Sequence, residues 1–128
     1  MPSHVHALMG LPEVGQLAKV MQAYKSLASR QIKTFDLGKY QNMLFEKGRF
    51  QLWKRHFDDL VVTTERQLRI KLEYIHANPV RAGLVSDPCN YMYSSASDWL
   101  ENRPGIIPID KDFAEVYETG ARGRTPDT

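Results

Sequence analysis

The chain reads as a mixed α+β protein, and three observations predict it. Residues 14 to 28 carry apolar side chains at helical spacing. A second helix opens at Thr64, with a capping pattern and its own apolar stripe. A short stretch, Leu60-Val61-Val62, reads as a strand leading into that helix.

Taken in order, His4 and His6 flank a single apolar residue. On a strand, alternate side chains share a face, so both imidazoles would project together. Two neutral imidazoles side by side can share one divalent metal ion; a solvated or structural pair is the commoner use. In the first helix Val14, Leu17, Ala18, Met21, Tyr24 and Ala28 share the core face. Lys19, Arg30 and Lys33 fall opposite. Lys25 projects within about 60° of the apolar centre, where a lysine either snorkels past the core or reaches a buried anion. Residues 34 to 50 mix Gly38, Tyr40, Asn42, Phe45 and Gly48 without periodicity and read as a loop. Such a loop can stack exposed bases and hold their phosphates, or its aromatic residues can pack beneath it, as expected for Trp53 and Phe57.

Thr64 followed three residues later by Gln67 makes a capping box. Leu68, Leu72 and Ile75 lay one apolar stripe along the helix, and Tyr74 points well away from it. Gln67, Lys71 and Asn78 lie nearest to Tyr74 around the helix. Pro79 biases Asn78 away from helical geometry, so the helix is expected to end there. A surface tyrosine beside a capping asparagine is the plain reading of that pair. Cys89 is expected to be inert, His56 and His76 to lie on the surface, and Tyr91, Tyr93, Ser94 and Ser95 to serve loop hydrogen bonding. Gly105-Ile106-Ile107-Pro108-Ile109 reads as an edge strand, 112 to 118 as a helical turn, and 120 to 128 as a frayed tail.

Composition sets bounds. At 128 residues, with 42% apolar and 25% charged residues, there is room for one domain with a modest core. The apolar runs are too short for a membrane span or secretory signal, and one cysteine forms no internal disulfide, which fits a cytoplasmic setting. The net charge of +2 hides a strong asymmetry. From Lys19 to Arg55 there are nine basic residues against two acidic ones; from Asp87 to Glu118 there are seven acidic against two basic. A basic segment of this kind suits a phosphate backbone, although a solvated surface explains most of its lysines.

Three segments together carry a resemblance: Met1-Pro2-Ser3-His4-Val5-His6, then Tyr74-Ile75-His76-Ala77-Asn78-Pro79-Val80-Arg81-Ala82-Gly83-Leu84-Val85, then Tyr93-Ser94-Ser95. In kind and order they resemble the single-tyrosine HUH transposases, in particular the REP-associated tyrosine transposases. A lysine-bearing helix and the Trp53-to-Asp58 segment fall in the same order. Asp59 departs from the pattern, in which a basic residue follows the Phe-Asp pair.

The resemblance covers residues 1 to 100 and leaves 101 to 128 as a C-terminal extension. It implies a ferredoxin-like HUH domain and an enzyme that nicks and rejoins single-stranded, hairpin-ended DNA through a 5′-phosphotyrosine link. By motif position Tyr74 is the nucleophile, and His4, His6 and Asn78 hold a divalent metal, Mg²⁺ or Mn²⁺. Lys19, Lys25, Arg30, Lys33, Lys71 and Arg81 are the expected DNA contacts. The resemblance also implies some forty residues before the HUH strand, where this sequence starts at that strand. The expectation is therefore an N-terminally truncated domain, poorly stable or poorly active unless a homodimer supplies the strand pairing. The alternative function is a non-catalytic DNA-binding remnant.

Overall fold

The computed structural model describes residues 1 to 13 and 15 to 112. Val14 of the expected first-helix face, the turn expected over 112 to 118 beyond its first residue, and the expected tail lie outside them. Contacts divide the chain into two compact units, one from Leu11 to Leu60 and one from Met1 to Gly10 with Val61 onward.

The Leu11–Leu60 unit is led by α1, Leu17–Ile32. Its face is only partly covered: Leu17, Met21 and Ala28 are half-buried, while Ala18 and Tyr24 are exposed. No side chain caps its N-terminus, and its last turn closes through the Lys33 and Thr34 amides on the carbonyls of Ser29 and Gln31. A 3₁₀ turn (Gly38–Tyr40), the short helix α2 (Gln41–Leu44) and a hairpin follow. The hairpin pairs β1, Phe45–Glu46, with β2, Arg49–Phe50, antiparallel, Phe45 facing Phe50 and Glu46 facing Arg49. This corrects the loop expected over 34 to 50. Lys47 and Gly48 both take positive φ, at 51° and 74°, which is the two-residue turn whose twist suits a hairpin. Strands of two residues are too short to show alternation in sequence.

The second unit is organised by α3, Glu65–Arg81. Thr64 accepts from the Gln67 amide at 3.2 Å, and the Gln67 carboxamide reaches back to the Thr63 amide at 2.9 Å. The expected capping box is thus present, its return bond shifted by one residue; such a cap contributes about 1 kcal/mol. The helix does not stop at Asn78. Proline removes one backbone donor, but the chain continues a further turn and closes on a Schellman pattern. Leu84 N–H bonds the Pro79 carbonyl and Gly83 N–H the Val80 carbonyl, both at 2.9 Å, with Gly83 at φ +70°.

Beyond it, a 3₁₀ turn (Pro88–Asn90) is capped by Asp87, which accepts from the Cys89 amide at 2.8 Å. A further helix, α4 (Ala96–Glu101), was not expected from sequence. The small core gathers here: Leu68, Pro79, Cys89, Ala96 and Ser97 are buried, with His76 and Asn78. His76 is therefore not a surface residue. Its Nε2 meets the Ser95 hydroxyl at 3.0 Å, and burial lowers its pKa. Burial likewise raises that of the Cys89 thiol, as an inert cysteine requires. Lys111 ties back to Asp98, by an ion pair of 2.6 Å and a bond of 2.7 Å to its carbonyl.

Three expected strands do not form. Residues 4 to 6, 60 to 62 and 105 to 109 carry no ladder, and Val61, Ile106 and Ile107 are exposed. A strand needs a partner for its backbone groups, and the only ladder among the described residues is β1–β2. The mixture of helix with a small sheet is consistent with the α+β class; the ferredoxin-like sheet stays an expectation of the resemblance.

Candidate functional site

Two of the residues singled out by spacing are one turn apart on α3 and differ sharply in exposure. Tyr74 is 52% exposed, whereas Asn78 is 8% exposed. The helical period puts them on one side, and the cap at Thr64 fixes the rotation of that side relative to the core. The N-terminal segment belongs to the same unit. His6 Nδ1 lies 2.7 Å from Asn78 Nδ2, so the carboxamide donates to the imidazole. The His6 ring stacks beside the Tyr74 ring at 5.9 Å between centroids and 29° between planes. The His4 ring is 4.6 Å from that of His6, and His4 Nδ1 meets the Ser3 hydroxyl at 3.0 Å. His4, His6, Tyr74 and Asn78 thus converge, although the two histidines do not sit on a strand.

Arg81 completes the cluster. One guanidinium nitrogen donates to the Tyr74 carbonyl at 2.8 Å and to Asn78 Oδ1, and the group lies 4.4 Å from the centre of the Tyr74 ring. Sequence reasoning placed Arg81 among the DNA contacts and missed this local role. Its spacing, three residues after Asn78 and seven after Tyr74, was the available signal.

Burial lowers the pKa of His6, helped by positive charge on His4 and, less, on Arg81. The ring is therefore neutral at pH 7, the form with a lone pair to offer a metal. Among the described residues no group of three or more His, Cys, Asp and Glu side chains converges. The donor set is two imidazoles and one carboxamide, which fits a divalent ion with open positions for oxygen ligands. In that set Asn78 would contribute its oxygen, the atom now bonded to Arg81.

The expected DNA contacts divide between the units. Lys71 and Arg81 stand on α3; Lys19, Lys25, Arg30 and Lys33 belong to the Leu11–Leu60 unit. The Lys25 ammonium donates to Lys54 O at 2.9 Å and His56 O at 3.4 Å, above the Phe57 ring. It tethers an irregular segment here, and its reading as a phosphate contact stays an expectation of the resemblance. Lys19 and Arg30 are exposed. Lys33 sits 5.0 Å over the Phe50 ring and, with Phe35, Phe45 and Arg49, borders an open cavity of about 790 Å³. Trp53 and Tyr24 pack at 5.5 Å, as expected of Trp53. Ser94 and Ser95 serve local hydrogen bonds, to Ala96 N–H and to His76.

No family model and no solved structure matches the chain. Among curated proteins it is 32% identical over 98 residues to a Haemophilus influenzae protein whose name assigns it to the REP-associated tyrosine transposases. The match takes in 74% of this chain and 54% of that relative, so the chain spans about half the relative's length. No described helix is long and apolar enough to cross a membrane. By this similarity, which agrees with the motifs of its sequence, the chain resembles the REP-associated tyrosine transposases.

Proposed function

We propose that the chain carries the strand-transfer site of a transposase acting on single-stranded, hairpin-ended DNA. The observation that supports it most is the convergence of His4, His6, Tyr74 and Asn78, drawn from segments far apart in sequence. Tyr74 is the nucleophile. Its hydroxyl oxygen bonds to the scissile phosphorus as the bond to the 3′-oxygen breaks. A 5′-phosphotyrosine and a free 3′-hydroxyl result, the phenol proton passing to water and the leaving oxygen taking one up. Attack by a 3′-hydroxyl on that link reverses the step and joins strands.

A divalent ion held by His4, His6 and Asn78, Mg²⁺ or Mn²⁺, would polarise the phosphate and ease departure of the 3′-oxygen. Around it, the chain's own residues orient the reaction. Half-exposure leaves Tyr74 open to a phosphate, and the stacked His6 ring and the Arg81 guanidinium both lie against its ring. Arg81 also brings positive charge to the place where phosphate charge develops.

In the Leu11–Leu60 unit, the cavity bordered by Lys33, Phe35, Phe45, Phe50 and Arg49 has the aromatic and basic make-up that suits an unpaired base with its phosphate. The test is incubation of the chain with single-stranded hairpin DNA and Mn²⁺, wild type against Tyr74→Phe, resolved on denaturing gels. A metal-dependent covalent adduct that disappears with Tyr74→Phe is expected. Salt-dependent DNA binding with no adduct from either protein would replace this reading with the non-catalytic DNA-binding one.

A further inference from the structure

Arg81 occupies the one oxygen that Asn78 could offer a metal. Its guanidinium donates to Asn78 Oδ1, and the carboxamide nitrogen is thereby turned to His6 Nδ1 at 2.7 Å. The same guanidinium nitrogen bonds the Tyr74 carbonyl, and the ring of Tyr74 lies beneath the group. These contacts form one linked set in which the carboxamide's orientation is decided by Arg81. A carboxamide presents its oxygen on one side and its nitrogen on the other. With the oxygen on Arg81, the face toward His6 is a donor, which repels a cation and engages the imidazole lone pair.

We infer that Arg81 is a positioning residue that competes with a divalent metal for Asn78 Oδ1, and that a substrate phosphate relieves the competition. The inference rests on the metal-site reading above. Two positive groups sharing one oxygen repel each other, so the ion and the guanidinium exclude one another there. A phosphodiester offers the guanidinium a charged, bidentate acceptor in place of a neutral amide oxygen, which is the stronger bond. Once Arg81 moves to the phosphate, a half-turn of the carboxamide frees its oxygen for the metal. Metal and DNA then favour each other through Arg81, beyond any direct contact between them.

The test reads metal affinity rather than activity. Mn²⁺ binding is measured by electron paramagnetic resonance, with thermal melting of each variant as a control for folding. Arg81→Ala is expected to tighten Mn²⁺ binding about fivefold or more, at the lower end of ordinary coupling factors. Arg81→Lys is expected to tighten it less than Arg81→Ala, because an ammonium keeps the charge and loses only the planar fork; it also serves if Arg81→Ala fails to fold. In a Tyr74→Phe background, single-stranded DNA should tighten Mn²⁺ binding more for the Arg81 protein than for Arg81→Ala. Mn²⁺ affinity unchanged or weakened in both Arg81 variants would overturn the competition while leaving the metal site standing. If no protein in the set binds Mn²⁺, the metal reading itself falls, and the competition with it.

Discussion

Every buried residue among those described belongs to the unit organised by α3, and none to the Leu11–Leu60 unit. In the first, order rests on specific bonds: the cap at Thr64, the Schellman close at Gly83, His76 on Ser95, Lys111 on Asp98. In the second, apolar side chains cluster without burial. Leu27, Phe35 and Met43 are 60%, 66% and 79% exposed, and the rings of Phe45 and Phe50 meet edge-on at 5.6 Å. In a chain with so small a core, then, precise placement comes from satisfied polar groups. The candidate site lies in the first unit, and the proposed base-stacking surface in the second, where aromatic rings remain accessible.

The largest expected effect tests that division of labour. His6→Ala removes both a proposed metal donor and the ring beside Tyr74, so adduct formation should fall more than about a hundredfold. DNA retention on a filter should change little if binding draws on basic residues elsewhere, as proposed. Equal loss of both activities would erase the distinction between the units. Next, Ala96 is fully buried, and Ala96→Leu should overpack the α3 unit by about 1–3 kcal/mol, read from denaturant melting.

A smaller effect comes from His76. Its folded pKa lies below the ordinary 6.5 because burial disfavours the charged ring. The unfolded chain therefore binds more protons as the pH falls, so stability is complete above about pH 6.5 and declines below it. His76→Gln should flatten the melting temperature between pH 7.5 and 5; an unchanged slope would assign the pH response elsewhere. Smallest of all, Leu27→Ala on the exposed side of α1 should shift stability by no more than about 0.5 kcal/mol. A larger loss would mean that the α1 face is covered in solution.

How far the sequence could be read divides along the same line. The start of α3 was legible because Thr64 and Gln67 are a local signal, with the reason for the helix contained in four residues. Its end was not, because the helix is carried past Pro79 by bonds from the Gly83 and Leu84 amides, four and five residues downstream. The hairpin at Phe45–Phe50 and the six-residue α4 are too short for periodicity to declare them. The expected strands at 4–6, 60–62 and 105–109 failed for another reason. A strand is a property of two segments, and one segment's composition cannot supply its neighbour.

The four site residues were nameable from the order and kind of the motifs, and the structure brings them together. His76 was misjudged, and the local role of Arg81 missed, because their partners, Ser95 and Asn78, are set by a residue nineteen positions away and by rotation about α3.

Whether Tyr74 is the nucleophile of a site completed by His4, His6 and Asn78 is answered most directly by mass spectrometry. The Mn²⁺-dependent product with single-stranded hairpin DNA would be digested with nuclease and protease, and the modified peptide sequenced. A 5′-linked nucleotide on Tyr74 is expected. A nucleotide on another tyrosine, such as the 71%-exposed Tyr93, or a digest with no modified tyrosine at all, would rule Tyr74 out.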